Sequence, residues 1–244
     1  LKGAMVKYDN YCVSAFLAGA DVLLGSSDPV ADLNAVEAAV KSGKIDKNEV
    51  DRRCRNILKF KYKLGLNVKP KIDTENLSAR LNTAHADSII TLMSRKALTL
   101  LKNEKKALPV KADSAKNRVV VVNLGIKGVD GFGKQCAALS GAKAYDVSTA
   151  TVPASVMKAV KDADVAIIAV YNNSSKSVAA FKALSAARKC IGVFFINPYK
   201  LVDFGKLDSM QATLLAYDDI PQLRTAAADA LFGRQPVSGK LPVK

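Results

Sequence analysis

Two periodicities divide the chain. Up to about residue 110 apolar positions recur mostly at helical spacing, and from Arg118 onward short apolar runs alternate with helical stretches. Residues 8–19 carry Val13, Phe16 and Leu17 and close on Gly19, a helix C-terminal signal. Asp21-Val-Leu-Leu-Gly25 reads as a short buried strand. Ser26-Ser-Asp-Pro29 then predicts a helix over 29–42, because a capping side chain stands before a proline whose missing N–H costs nothing in the first turn. Asp46-Lys-Asn-Glu49 has capping-box spacing, and Val50, Cys54, Ile57, Leu58 and Leu64 follow it on one helical face. The cations Arg52, Arg53, Arg55, Lys59, Lys61 and Lys63 crowd the other positions and read as a solvated face. Pro70 marks a break, and a second helical pattern over 83–98 places Ala86, Ile89, Ile90, Met93 and Ala97 on one side. Residues 98–103 and 108–110 either pair as a small hairpin or lie as an extended connector.

The second half predicts a parallel α/β domain. Arg118-Val-Val-Val-Val-Asn-Leu-Gly125 is a run of β-branched residues suited to a strand buried on both faces. Strands over 119–124, 144–147, 165–171, 191–196 and 213–217 alternate with helices over 134–139, 153–162, 177–189 and 222–232, which implies parallel pairing and right-handed crossovers. Three polar clusters, Asn172-Asn-Ser-Ser175, Asn197-Pro-Tyr199 and Tyr217-Asp-Asp219, each follow one of these strands. In an open parallel sheet the loops at strand C-termini line the crevice where ligands bind. Each cluster alone is ordinary turn chemistry; together they form a rim.

Composition narrows the chemistry. With 49% hydrophobic residues in 244, the chain can build one large core or two modest ones. No apolar run approaches the roughly 18 residues of a membrane span. The chain neither starts with Met nor opens on a leader, so the expectation is a soluble segment of something longer. A net charge of +15 would suit an anionic polymer, but the cations are scattered, and with 6% aromatics and no Trp there is little to stack on bases. No nucleic-acid partner is expected. Cys12, Cys54, Cys136 and Cys190 lie far apart in apolar contexts and read as buried free thiols. With no Cys-x-x-Cys and one histidine, neither a metal site nor a cofactor is expected. His85 has no acidic or nucleophilic neighbour in sequence and reads as a packing residue at a helix start.

Two motifs fail on their own terms. Gly128-Val-Asp-Gly-Phe-Gly-Lys-Gln135 matches a phosphate loop except at its last position, where Gln135 stands in place of the Ser or Thr that holds magnesium. Ser155-Val-Met-Lys158 has Ser-x-x-Lys spacing without its companion motifs.

Other stretches carry a resemblance. Ala18-Gly-Ala-Asp-Val-Leu-Leu-Gly-Ser-Ser-Asp-Pro29, Ala38-Ala-Val-Lys-Ser-Gly-Lys-Ile45 and Asp51-Arg-Arg-Cys-Arg-Asn-Ile-Leu-Lys-Phe-Lys-Tyr-Lys-Leu-Gly-Leu66 resemble the end of the catalytic (β/α)8 barrel of glycoside hydrolase family three. Ser94-Arg-Lys-Ala-Leu-Thr-Leu-Leu-Lys-Asn-Glu104 with Leu108-Pro109 resembles the entry to that family's second domain, and Asn197-Pro-Tyr199, Ala216-Tyr-Asp-Asp219 and Ser238-Gly-Lys-Leu-Pro-Val243 its later strands and end. The resemblance implies a flavodoxin-like three-layer α/β sandwich over 111–244, a connecting segment over 68–110, and a mostly helical barrel remnant over 1–67.

It further implies the β-N-acetylhexosaminidase branch, whose nucleophile motif is Asp-x-x-x-Met-Lys-Gly; this chain opens Leu1-Lys-Gly3, which places the nucleophilic Asp upstream. That branch's acid/base His lies on an earlier barrel loop, and His85 does not match it. By this resemblance the chain is the C-terminal part of a retaining glycosidase acting on oligosaccharides such as those of peptidoglycan or chitin, and is inactive alone. Ser26, Ser27 and Asp28 would floor the sugar site, since active sites of such barrels lie at strand C-termini. Asn173, Asn197, Tyr199 and Asp218 would add the rim. The apolar faces of the first helices, lacking barrel neighbours, would pack on the second domain, a second copy or the missing N-terminal segment. A non-catalytic α/β module that binds carbohydrate or a partner is the alternative from another class, and a nucleotide-binding domain survives only through the imperfect glycine loop.

Overall fold

The computed structural model describes residues 10–68, 71, 73–111, 118–126, 129–188, 190–205 and 207–242. The chain forms two compact units, Leu1–Glu75 and Asn76–Lys244.

The first unit is helical. Helix α1 (Tyr11–Leu17) starts where the Asn10 side chain accepts from the N–H groups of Cys12 and Val13 at 2.9 and 3.0 Å, and it ends before Gly19 at φ +102°. Helix α2 (Pro29–Lys41) starts as the sequence predicts, with Asp28 Oδ1 accepting from Ala31 N at 3.0 Å and Pro29 in the first turn. Helix α3 (Lys47–Lys63) is capped by Asp46, which accepts from Asn48 N at 2.9 Å. Val13, Phe16, Ala39 and Ile45 form a small core.

Two expectations fail here. Residues 21–25 form no strand, and Leu24 is 96% exposed. A strand needs ladder partners, and no other strand lies among the described residues of this unit. Nor is the charge run of α3 uniformly solvated. Cys54, Leu58 and Leu64 are exposed, whereas Arg53 is buried, 7% exposed. Its Nη1 donates to the carbonyls of Phe16 and Ala20 at 2.7 and 2.8 Å, its Nε donates to Glu49 at 2.8 Å, and its guanidinium lies 4.0 Å above the Phe16 ring. The guanidinium thus ties the C-terminal end of α1 to α3, where a cation also favours the helix dipole.

The second unit opens with the short helix α4 (Leu77–Leu81) and helix α5 (Ala84–Ala97), capped by Thr83. On α5 the predicted apolar stripe is largely exposed at Ile89, Ile90 and Met93, and Ser94 is the buried residue. Strand β1 (Thr99–Asn103) follows directly. The alternation then runs β2 (Val119–Leu124), α6 (Lys134–Ser140), β3 (Lys143–Val147), α7 (Ala154–Asp162), β4 (Val165–Val170), α8 (Ser175–Ala187), β5 (Cys190–Phe194), β6 (Met210–Leu215) and α9 (Pro221–Leu231). The six strands form one sheet in the order β1-β6-β5-β4-β2-β3, parallel except for β1, which pairs antiparallel with β6. The hairpin alternative for 98–110 is therefore not formed. Residue 118 opens the sheet's second strand rather than its first, because Thr99 pairs with Leu215.

The sandwich has the three layers the sequence implies. Val119, Val121, Ile167, Ala169, Ile191, Val193 and Leu214 face a cluster with Cys136 of α6 and Leu223, Ala227 and Leu231 of α9. Val120, Val122, Ile168, Val170, Phe194 and Leu215 face the other, with Val156 and Val160 of α7 and Phe181 and Leu184 of α8. Alternate residues of each strand serve opposite faces, which is why these strands read as continuous apolar runs. No helix among the described residues is long and apolar enough to cross a membrane.

Candidate functional site

The sheet's chain order reverses at β2, whose neighbours β3 and β4 lie on opposite sides. The loops leaving β2 and β4 therefore diverge, and in open α/β sheets ligands enter the resulting crevice. Here the chain's own side chains fill it. Asn172, just after β4, donates from Nδ2 to Gly125 O at 3.0 Å, and its Oδ1 accepts from Ser174 N at 3.1 Å and Ser177 Oγ at 2.8 Å. Gly125 is at φ +97°, and a Cβ there would lie 2.3 Å from Asn172 Nδ2, so this close approach requires glycine. Phe132 is fully buried edge-on to Phe195, which stacks on Tyr171 at 4.9 Å.

Beneath this plug lies a polar chain that sequence reading missed. Asn123, fully buried in β2, donates to Asp146 Oδ1 at 3.0 Å and to Tyr145 O at 3.3 Å, and accepts from Tyr171 Oη at 3.3 Å. Burial, and then the Asp219 carboxylate, push the Tyr171 phenol well above its ordinary value, so it stays a donor. An asparagine inside Val-Val-Val-Val-Asn-Leu was the available signal, because a buried amide demands partners. The glycine-loop reading falls partly on residues 127 and 128, outside the described residues. Gln135, where magnesium chemistry needs a hydroxyl, instead donates to Thr225 at 2.9 Å.

Asn173, Asn197, Tyr199 and Asp218 follow the carboxyl ends of three adjacent parallel strands, β4, β5 and β6. Asn173, after β4, donates to Asp203 Oδ2 at 2.6 Å. Asn197, after β5, caps a short 3-10 helix over Pro198–Phe204 by accepting from Tyr199 N at 3.0 Å. On that helix Tyr199 is 66% and Val202 77% exposed, and the same helix carries Asp203, the partner of Asn173. Asp203 was not singled out from sequence. After β6, Asp218 is exposed and accepts from Asp219 N at 2.7 Å, while Asp219 holds Arg224 through two bonds at 2.5 and 2.8 Å. Just before them Tyr217 adopts φ +65°, a left-handed conformation rare for an aromatic residue.

The remaining three predicted residues belong to the first unit. Ser26 Oγ donates to Asp32 Oδ2 at 2.5 Å, beside a Tyr11 hydroxyl at 3.0 Å. The Ser26 bond, followed by one from Cys12, holds the Asp32 carboxyl below the usual carboxylate range. Asp28 is occupied with capping α2, and Ser27 is exposed.

His85 is exposed at the second position of α5. Cys12, Cys136 and Cys190 are buried free thiols, as expected, whereas Cys54 is exposed. Burial pushes the Cys190 thiol up to about 12 and that of Cys136 higher still, which makes both inert as nucleophiles. Among the described residues no three His, Cys, Asp or Glu side chains are placed to hold a metal ion.

Residues 98–244 match the Glycosyl hydrolase family 3 C-terminal domain. A family 3 beta-N-acetylglucosaminidase from Paenibacillus sp. str. FPU-7 superposes with a TM-score of 0.62 at 23% identity, covering 95% of this chain and 46% of that one. A beta-glucosidase from Listeria innocua superposes with a TM-score of 0.54 at 15% identity, over 82% of this chain and 32% of that one. In sequence, Beta-glucosidase B of Emericella nidulans is 29% identical over 113 residues, 46% of this chain and 13% of that protein. At such identities the superpositions show the fold alone. The chain spans less than half the length of each of these relatives.

Proposed function

Since the chain belongs to glycoside hydrolase family 3, we propose that it is the C-terminal part of a retaining β-N-acetylglucosaminidase and that its sandwich rim contacts the sugar. The observation that carries this reading is the polar rim after β4 and β5, where Asn173 donates to Asp203 and the short helix that bears Asp203 also exposes Tyr199: an amide, a carboxylate and an exposed ring are the groups that meet the polar edge and apolar face of a pyranose. Asn197 fixes the start of the helix that presents Tyr199, and Asp218 extends the rim. In the first unit, taken by itself, Ser26, Ser27 and Asp28 are the proposed sugar contacts.

Retaining hydrolysis needs a nucleophile that attacks the anomeric carbon and an acid/base that protonates the leaving oxygen and then activates water. We assign neither role to a residue of this chain, which spans less than half the length of its relatives. The apolar residues exposed on the first unit, among them Val30 and Leu33, are candidates for cover by the second domain, a second copy or a further segment of the intact protein. The beta-N-acetylglucosaminidase relative supports the choice of sugar. The test compares chromogenic β-N-acetylglucosaminide and β-glucoside as substrates of the intact protein and of this chain alone. The expected result is preference for the N-acetylated substrate by the intact protein and no turnover by the chain. Turnover by the chain alone, or a preference for glucoside, overturns the reading.

A further inference from the structure

A second groove opens on the second unit at the start of β1, lined by Lys96, Ala97, Tyr217, Gly239, Lys240 and Pro242, with a volume of about 300 Å³. We propose that it binds the anionic group of an acidic sugar, a carboxylate or phosphate, as a subsite beside the rim; this rests on the carbohydrate reading given above.

The residues come from three distant parts of the sequence. Lys96 is the penultimate residue of α5, Tyr217 follows β6, and Lys240 follows Gly239, which bridges to Thr99. Gly239 makes that placement possible. Its N–H donates to Leu98 O at 3.0 Å, and any Cβ would lie 2.4 Å from Leu98 O and 2.5 Å from Ala97 O. The backbone thus delivers Lys240 to the same groove as Lys96. Both ammonium groups are exposed and have no ion-pair partner among the described residues. Of the two carboxylates that follow Tyr217 in the chain, Asp219 is paired with Arg224, and Asp218 is exposed and accepts its neighbour's N–H. Two unneutralised cations facing one groove favour an oxyanion.

Tyr217 supplies the contact to the rest of the ligand. Thr99 Oγ1 lies 3.0 Å from Ala97 O, to which it donates its single proton, so at 2.7 Å the Tyr217 hydroxyl is the donor to Thr99. The phenol oxygen keeps its lone pairs and can accept from a sugar hydroxyl. Its left-handed backbone is a local strain that the Thr99 bond holds in place, the kind of outlier found at ligand contacts.

Titration calorimetry of this chain with glucuronate, glucose 6-phosphate, glucose and inorganic phosphate tests the site. Glucuronate and glucose 6-phosphate are expected to bind, with affinity falling as salt rises, while glucose does not. Lys96→Met and Lys240→Met should each weaken binding about tenfold. Tyr217→Phe should weaken the sugar acids severalfold. Glucose binding as well as glucuronate, inorganic phosphate binding as tightly as glucose 6-phosphate, or lysine variants without effect would each overturn the proposal. Far-UV circular dichroism of the variants confirms that they are folded. Hydrolysis of a neutral N-acetylglucosaminide by the intact protein is scored separately, so a failure of the anion site and a failure of the glycosidase reading remain distinct.

Discussion

Arg53 offers the sharpest test of how the first unit is held together. Replacing it with Met keeps most of the aliphatic stem and removes the guanidinium, leaving Ala20 O without its donor and Phe16 O with only the N–H of Gly19. Hydrogen bonds from a charged donor contribute about 1.5–3 kcal/mol each, and breaking a buried ionic contact from one side costs about 3–5 kcal/mol. A loss of about 3–4 kcal/mol is therefore expected for this unit. Native-state hydrogen exchange reads it locally, as faster exchange of the amides of α1, and urea unfolding reads it globally. The control is Arg52→Met, which removes the same charge from the same helix and also breaks bonds to Glu49, at 2.6 and 2.7 Å, but from an exposed side chain. It should leave α1 exchange unchanged. If Arg53→Met cost under about 1 kcal/mol, the carbonyl-bridging role assigned to it would be wrong. Equal effects of the two variants would be just as damaging, since they would point to net charge instead.

Three further outcomes follow from the same geometry. Hydrogen bonds from Arg52 and then Arg53 hold the Glu49 carboxyl down at about 2, against an ordinary value near 4.5, so its contribution is complete above about 4.5 and is lost as pH falls toward 2; Glu49→Gln should flatten that part of an acid-unfolding curve. Tyr171 carries the opposite sign for an acid: its raised value means that the unfolded chain ionises first, so stability should decline above about pH 10, less steeply in Tyr171→Phe, as urea midpoints across pH would show. Gly125→Ala should cost about 2–4 kcal/mol from left-handed backbone strain and the clash with Asn172, and adding Asn172→Ala should recover the clash but not the strain, measured as a double-mutant cycle.

Much of the sandwich was legible in the sequence because its strands are buried on both faces. Val119 to Val122 could hardly be anything but a central strand, and Asp28-Pro29 and Asp46 announce their helices through capping chemistry alone. The misreadings share a physical cause: they depend on neighbours. Val22-Leu-Leu24 is as apolar as a strand, but the described part of its unit offers it no ladder. Thr99-Leu-Leu-Lys-Asn103 has no clean alternation, and its strand character comes from Leu215 and the rest of β6. Arg53 is one cation among seven in α3, and only the fold turns it toward the carbonyls at the end of α1. The proposed rim residues Asn173, Asn197, Tyr199 and Asp218 could be chosen from sequence because each follows the end of an apolar run. Asp203 and the left-handed Tyr217 depend on tertiary placement that no local pattern encodes.

The antiparallel edge strand has a consequence for the order of assembly. β1 precedes the five parallel strands in the chain, yet among the described residues the strand it pairs with is β6, the last of them. Bringing Thr99 to Leu215 closes a loop holding the rest of the sheet, at an entropic cost of about 4 kcal/mol beyond a constant term. During synthesis β1 leaves the ribosome with no partner and waits until β6 has followed. In that interval its unpaired backbone is the most aggregation-exposed edge of the nascent domain, and the strap through Gly239, which lies against Thr99, can lock only after that wait has ended.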